Sequence, residues 1–300
     1  MGPTRSLLLL GAVLSAQSPD VPDWQTAAGG KLSFEVASVK PSKTFRGPTF
    51  PLDSGNAVRQ GGRFSAGMKL LTYIFFAYKV DSTAEQTRAV FAQIPKSLTA
   101  DFFEIEARAP GNATKDQLRL MMQSLLAERF KLAVHFESPE IPVMALTLDK
   151  PGKLGPSLRP HSESPPCAGY PAIDPHAFPS QCDAMILTLP RDGTARAGSR
   201  NTSPSLLARD IASMGSLAGE VDKPVVDRTG LKDTFDYVLE WSGRLPGQPP
   251  PPAGAAPPPP ETPGTGFLQA VREQLGLKLV PGRAAVRTIF IDHVESPSEN

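Results

Sequence analysis

The chain has 300 residues, with 31 basic against 30 acidic side chains and a formal net charge of +1. So balanced a charge gives no electrostatic basis for binding nucleic acid or an anionic membrane surface. The length allows two domains of ordinary size, each with its own core.

Residues 1–16 combine a positive charge at Arg5, an apolar run from Leu7 to Leu14 and the small residues Ser15 and Ala16. This pattern predicts a secretory signal peptide, too short to span a membrane. No other stretch approaches the ~18 apolar residues a spanning helix needs. The expectation is therefore an exported chain, periplasmic or secreted, with no membrane span after processing.

A polar lead-in then gives way to FEVASVKPS (34–42), which reads as a strand ending at a proline turn. Gly61-Gly62 marks a turn before the strand-like RFSA. Residues 68–78 (MKLLTYIFFAY) place Leu71, Ile74, Phe75 and Tyr78 at helical spacing, and STAEQTRAVFAQIPKS has some helical character. A strand follows at 102–110. Next comes a helix with the stripe Leu118, Met122, Leu125 and Leu126, started near Thr114 and Asp116. KLAVHFES and VMALTLDK read as two strands joined by ESPEIP, a loop suited to a hairpin.

Residues 151–200 read as an irregular connector containing one strand, DAMILTLP. Cys167 and Cys182 lie within it, and a disulfide between them would close a loop in an oxidising compartment and contribute ~3 kcal/mol on the chain-entropy model. After residue 200 a similar order of elements returns. A helix buries Leu207, Ile211 and Met214, and PVVDRTG follows. A strand then alternates Phe235, Tyr237, Leu239 and Trp241 with Asp236, Val238 and Glu240. A second helix, FLQAVREQLG, ends at Gly276, a residue suited to a helix C-terminus, and two strands close the chain. Residues 246–263 contain ten prolines and can join neither sheet nor helix. The predicted organisation is α+β, two similar helix-on-sheet modules in tandem. The first covers 32–150, the disulfide-pinned connector 151–200 and the second module 201–300, with the proline-rich insertion inside it.

The search for chemistry returns little. His135, His161, His176 and His293 form no HExxH or other spaced metal-ligand set, and neither phosphate-binding glycine loops nor a GxSxG elbow occurs. No cofactor or metal is expected. PVVDRTG is the most distinctive polar loop. Asp227 could accept hydrogen bonds from the backbone or Thr229, with Gly230 in a positive-φ turn, so these three form a ligand or turn loop.

Several long segments carry a family likeness: FEVASVKPS, GGRFSAGMKLLTYIFFAY, FEIEARAP, QLRLMMQSLLAERFKLAVHFESPEIPVMALTLDKPG, PVVDRTGLKDTFDYVLEW, EQLGLKL and IDHVESPSEN. From about residue 32 onward the chain resembles the DUF3738 family of exported proteins expanded in Acidobacteria such as Solibacter. The resemblance implies a bacterial envelope location. Some members look like extensions of membrane-bound metallopeptidase sensors, which implies a sensory or ligand-binding role. The element order of the second half also looks like the small interaction modules of secretins and TonB-dependent receptors.

The expected function is thus a non-catalytic binding or interaction protein that meets an envelope protein or a small ligand. The alternatives are a hydrolase with an unfamiliar site around His135, Asp227 or His293, and a structural part of a secretion or sensor assembly.

Overall fold

The computed structural model describes residues 21–58, 61–163, 182–188, 194–242 and 265–297. The predicted signal peptide, Cys167, His176 and the proline-rich stretch lie outside these residues. The described chain is mixed α+β, organised around two hydrophobic cores.

The first core begins with a three-stranded antiparallel sheet. In it β3 (Phe102–Arg108) lies between β1 (Val36–Ser42) and β2 (Arg63–Met68). Two helices bury their apolar sides here. The first, α2 (Leu70–Tyr78), is apolar almost all round and is accordingly buried on most of its surface. The second, α5 (Lys115–Arg129), starts with a capping box. Thr114 accepts from the Gln117 amide while the Gln117 side chain accepts from the Thr114 amide. The short helices α3 (Ala84–Phe91) and α4 (Lys96–Thr99) bridge α2 and β3. A further short helix, α1 (Asp23–Ala27), rests against α5 and buries no residue.

The second core is enclosed by two sheets. One has the order β6–β10–β8–β7, built from Leu158–Pro160, Phe235–Ser242, Thr194–Thr202 and Ile186–Thr188. The other has the order β11–β5–β9, built from Leu277–Ala285, Glu140–Leu148 and Val225–Asp227. The alternation predicted for β10 is realised, with Phe235, Tyr237, Leu239 and Trp241 all buried. Helix α6 (Pro204–Leu217) begins with Pro204 at its first position and Ser203 as its cap, an arrangement that uses the proline's missing N–H. Helix α7 (Phe267–Ala270) runs into a π-helical turn, Val271–Leu275, closed by Gly276 at φ 69°.

The hairpin expected across ESPEIP does not form. Strand β4 (Ala133–Glu137) pairs with β12 (Thr288–His293), whereas β5 pairs with β11. The short link after β4 carries the chain from one core to the other. Val134 and Phe136 pack on the first core, and Leu146 is part of the second. Ile289 and Val294, near the C-terminus, return to the first core. The cores therefore exchange strands, and no cut at residue 150 or 200 separates them. The connector also holds more structure than its composition suggests, since β8 begins at Thr194 and β6 pairs with β10.

Two edge strands carry a proline, Pro41 in β1 and Pro281 in β11. A proline lacks the N–H needed to extend a ladder, so both edges resist strand addition.

Candidate functional site

A buried polar seam runs between the cores, and its centre is the loop Asp53–Asn56. On α5, Lys115 and Arg119 are spaced i, i+4 and share one face. Neither side chain has any exposed surface. The Lys115 amine donates to Asp53 Oδ1 at 2.5 Å. Arg119 Nη2 donates to the carbonyls of Asp53 at 2.7 Å and Gly55 at 2.6 Å, while Nη1 pairs with Asp116. Lys79 also reaches Asp116, at 3.2 Å. From the second core, Arg209 of α6 donates to Ser54, whose hydroxyl donates to Asp81 at 2.8 Å. Arg209 further pairs with Asp210 at 2.6 Å, and Asp210 accepts from the buried Tyr237 hydroxyl at 2.9 Å. Glycine is required at position 55 because a Cβ there would lie 2.1 Å from the Asp183 carbonyl oxygen.

Burial dominates the electrostatics. It raises the Asp81 and Asp210 carboxyls above their ordinary range, against the pull of Arg209. It also lowers the Lys115 amine to about 8 from 10.5, although Asp53 opposes the shift. Between those two values the unfolded chain holds a proton that folded Lys115 has released, so stability rises with pH across pH 8–10.5. The slope is at most ~1.4 kcal/mol per pH unit. Lys115→Met removes this contribution. The stability difference between the protein and the variant should move in the protein's favour from pH 8 to 10.5 and stay flat below pH 8. Denaturant titrations across that range check it, and parallel curves would rule it out.

The seam continues to one end of the four-stranded sheet. Here His161 follows β6, Arg200 lies near the end of β8 and Asp236 is the second residue of β10. His161 Nδ1 lies 2.6 Å from Asp236 Oδ1, which also accepts from the Asn201 amide at 3.0 Å. Arg200 Nη2 donates to the Ser162 carbonyl at 2.6 Å, and Nε lies 3.5 Å from Asp236 Oδ2. Arg200 Nη1 is buried with no hydrogen-bond partner among the described residues. Burial raises the Asp236 carboxyl. The hydrogen bonds from His161 and Asn201 and the nearby positive charges outweigh it, and hold the group below the usual carboxylate range. Asn201 and Asp183 both adopt left-handed backbone, at φ 54° and 58°. They join the two halves of the seam. Asn201 Nδ2 donates to Asp183 Oδ1 at 3.2 Å, and the Asp183 carbonyl accepts from the Asn56 amide at 3.2 Å.

The residues singled out from sequence sit elsewhere. Asp227 Oδ1 accepts from the Thr229 amide at 2.9 Å and its hydroxyl at 2.7 Å, and Gly230 follows at φ 74°. The loop thus has the geometry of a side-chain-braced turn. His135 Nδ1 lies 2.6 Å from Asp292 Oδ1 and the ring stacks on Phe290, while His293 Nε2 lies 2.7 Å from Glu295. His135, Asp227 and His293 each have a separate local partner and form no common constellation. Cys182 is buried beside Arg200, with which it makes a β-bridge, and its proposed partner Cys167 lies outside the described residues. Among the described residues no group of three or more His, Cys, Asp or Glu is placed to hold a metal ion.

Sequence reasoning missed Asp53, Lys115, Arg119, Arg209 and Asp210, which belong to no spaced catalytic or binding motif. One signal was available. Asp210 falls between Leu207 and Met214 on the apolar stripe of α6, where a charge needs a buried partner.

Two concavities flank α1, and α5 forms part of the wall of each. One, of about 530 Å³, is lined by Gln25, Lys31, Leu120, Gln123 and Ser124 among others. The other, of about 460 Å³, lies between Trp24, Ala27 and Ala28 on one side and Asn56, Val58 and residues 112–116 on the other. Lys115 and Asp116 connect this second cleft directly to the seam.

Among the described residues no helix is long and apolar enough to cross a membrane. No curated protein and no solved structure matches the chain. A family model described as a protein of unknown function, DUF3738, matches residues 71–294. That span includes α5, α6, His161 and Asp236, and it takes in most of both cores. The chain belongs to the DUF3738 family.

Proposed function

We propose that the protein is an exported, non-catalytic binding protein of the bacterial envelope, made of two similar modules locked into one body. The observation that carries this reading is the pair of clefts along α5. Both are bordered in part by side chains the seam leaves unengaged, and α1 beside them buries none of its own residues. Export is supported by the signal-like residues 1–16, and a Cys167–Cys182 bridge would suit that compartment. Similarity of the modules is supported by the matched roles of their last strands, β4 with β12 and β11 with β5. An envelope protein or a small molecule would occupy the clefts, with a protein docking less readily on the proline-bearing edges of β1 and β11.

The test is affinity capture from an envelope extract of the host, with retained proteins and small molecules identified by mass spectrometry. Specific retention that weakens on deletion of residues 21–30 supports the reading. Retention of nothing, together with a measurable catalytic turnover, overturns it.

A hydrolase remains the second reading, now centred on His161. Its Nδ1 is held by the half-buried Asp236 carboxylate, the arrangement that orients a general base and leaves Nε2 to act. Turnover of ester or amide substrates that disappears in His161→Gln, while the fold persists, would favour it.

A further inference from the structure

We infer that the 460 Å³ cleft between α1 and the start of α5 is a saccharide-binding site. The inference rests on the binding reading above and names its ligand class.

The volume lies within the roughly 300–1,000 Å³ range of small-ligand sites. The cleft's two charged residues are already neutralised. Lys115 is bound to Asp53, and Asp116 to Arg119 and Lys79. A charged ligand would have to break these pairs or lose its own hydration without a counter-charge. The ligand that fits is therefore uncharged. The groups left to meet it are the exposed carboxamides of Asn56 and Asn112, which make no side-chain hydrogen bond to a described residue. Each carboxamide offers both a donor and an acceptor. The Thr114 hydroxyl, which accepts from the Gln117 amide, keeps its proton to donate. Trp24 supplies a half-buried aromatic surface, with the Lys79 amine 5.5 Å from its ring centroid. A flat apolar ring beside paired donor–acceptor groups complements a sugar, whose C–H face stacks while neighbouring hydroxyls each give and take a hydrogen bond. Ala27, Ala28 and Val58 complete an apolar wall against which the ring edge packs.

Isothermal titration of the purified protein with an N-acetylglucosamine tetramer and, separately, with maltotetraose tests the inference. The expected result is saturable binding by at least one of them, weakened tenfold or more in Trp24→Ala and in Asn112→Ala. Asn112 is exposed and Trp24 lies half-buried on a short helix that buries no residue, so both variants should stay folded at the titration temperature. Binding of the N-acetylated sugar alone would point to cell-wall glycan, and binding of both to saccharides in general. No heat with either sugar up to about 10 mM, where even a weak site would register, overturns the inference. So does binding that both variants leave unchanged. If the envelope capture then retains a protein or a non-saccharide molecule, the binding reading stands and only the ligand class has failed.

Discussion

Arg119→Ala is expected to cost about 3–5 kcal/mol of stability, the range for removing one partner of a buried ionic cluster. The guanidinium has no exposed surface and serves three acceptors, the Asp53 and Gly55 carbonyls and the Asp116 carboxylate. Alanine would leave those carbonyls, one buried and one half-buried, without their donor. It would also leave Asp116 dependent on Lys79 alone. The loop that Arg119 holds contains Ser54, the contact of Arg209 from the second core. The loss should therefore spread to the junction, with faster amide exchange at residues 53–56 and in α6. Arg119→Lys keeps the charge without the planar fork that reaches two carbonyls, so it should fall between the protein and the alanine variant. Denaturant unfolding measures both. A loss under about 1 kcal/mol for Arg119→Ala would mean that the seam behaves as a surface ion pair.

How much of this was legible in the sequence depended on how local each signal was. The stripe of α5 and the alternation of β10 specify an element and its buried face within a few residues, and both are found as read. Pairing is not local. The period-2 pattern of β4 tells which side is apolar, but nothing in it names β12, more than 150 positions away, as its neighbour. A short loop before β5 therefore suggested a hairpin, and the geometry that rules it out lies in the two cores. The polar seam was hidden for a related reason. Asp53 and Lys115 look like solvated charges until the fold closes over them, since burial of a charge depends on partners that sequence spacing does not bring together. Gly55 shows the same limit. Its requirement comes from Asp183, a residue of another segment.

Removal of residues 287–300 is expected to undo the first core and leave the second core's own hydrogen bonds nearly intact. Read along the chain, the C-terminal strand belongs with the elements before it, and its loss would then damage the second module. The observed pairing reverses that expectation. Without β12, β4 has no ladder partner among the described residues, and Phe130 loses its backbone bond to Glu295. The buried side chains of Ile289 and Val294 also leave the core formed by α2, α5 and β3. Burial of side chains this size contributes about 1.5–3 kcal/mol each, so with the ladder the loss should reach roughly 5 kcal/mol. Because such a truncation could prevent folding altogether, Ile289→Ala provides the graded form, with an expected cost of about 2–5 kcal/mol. Hydrogen exchange by mass spectrometry decides where the damage falls. Deprotection centred on β4 and α2 follows from strand exchange between the cores. Deprotection centred on β10 and α6 would instead return the C-terminal strand to the module that precedes it.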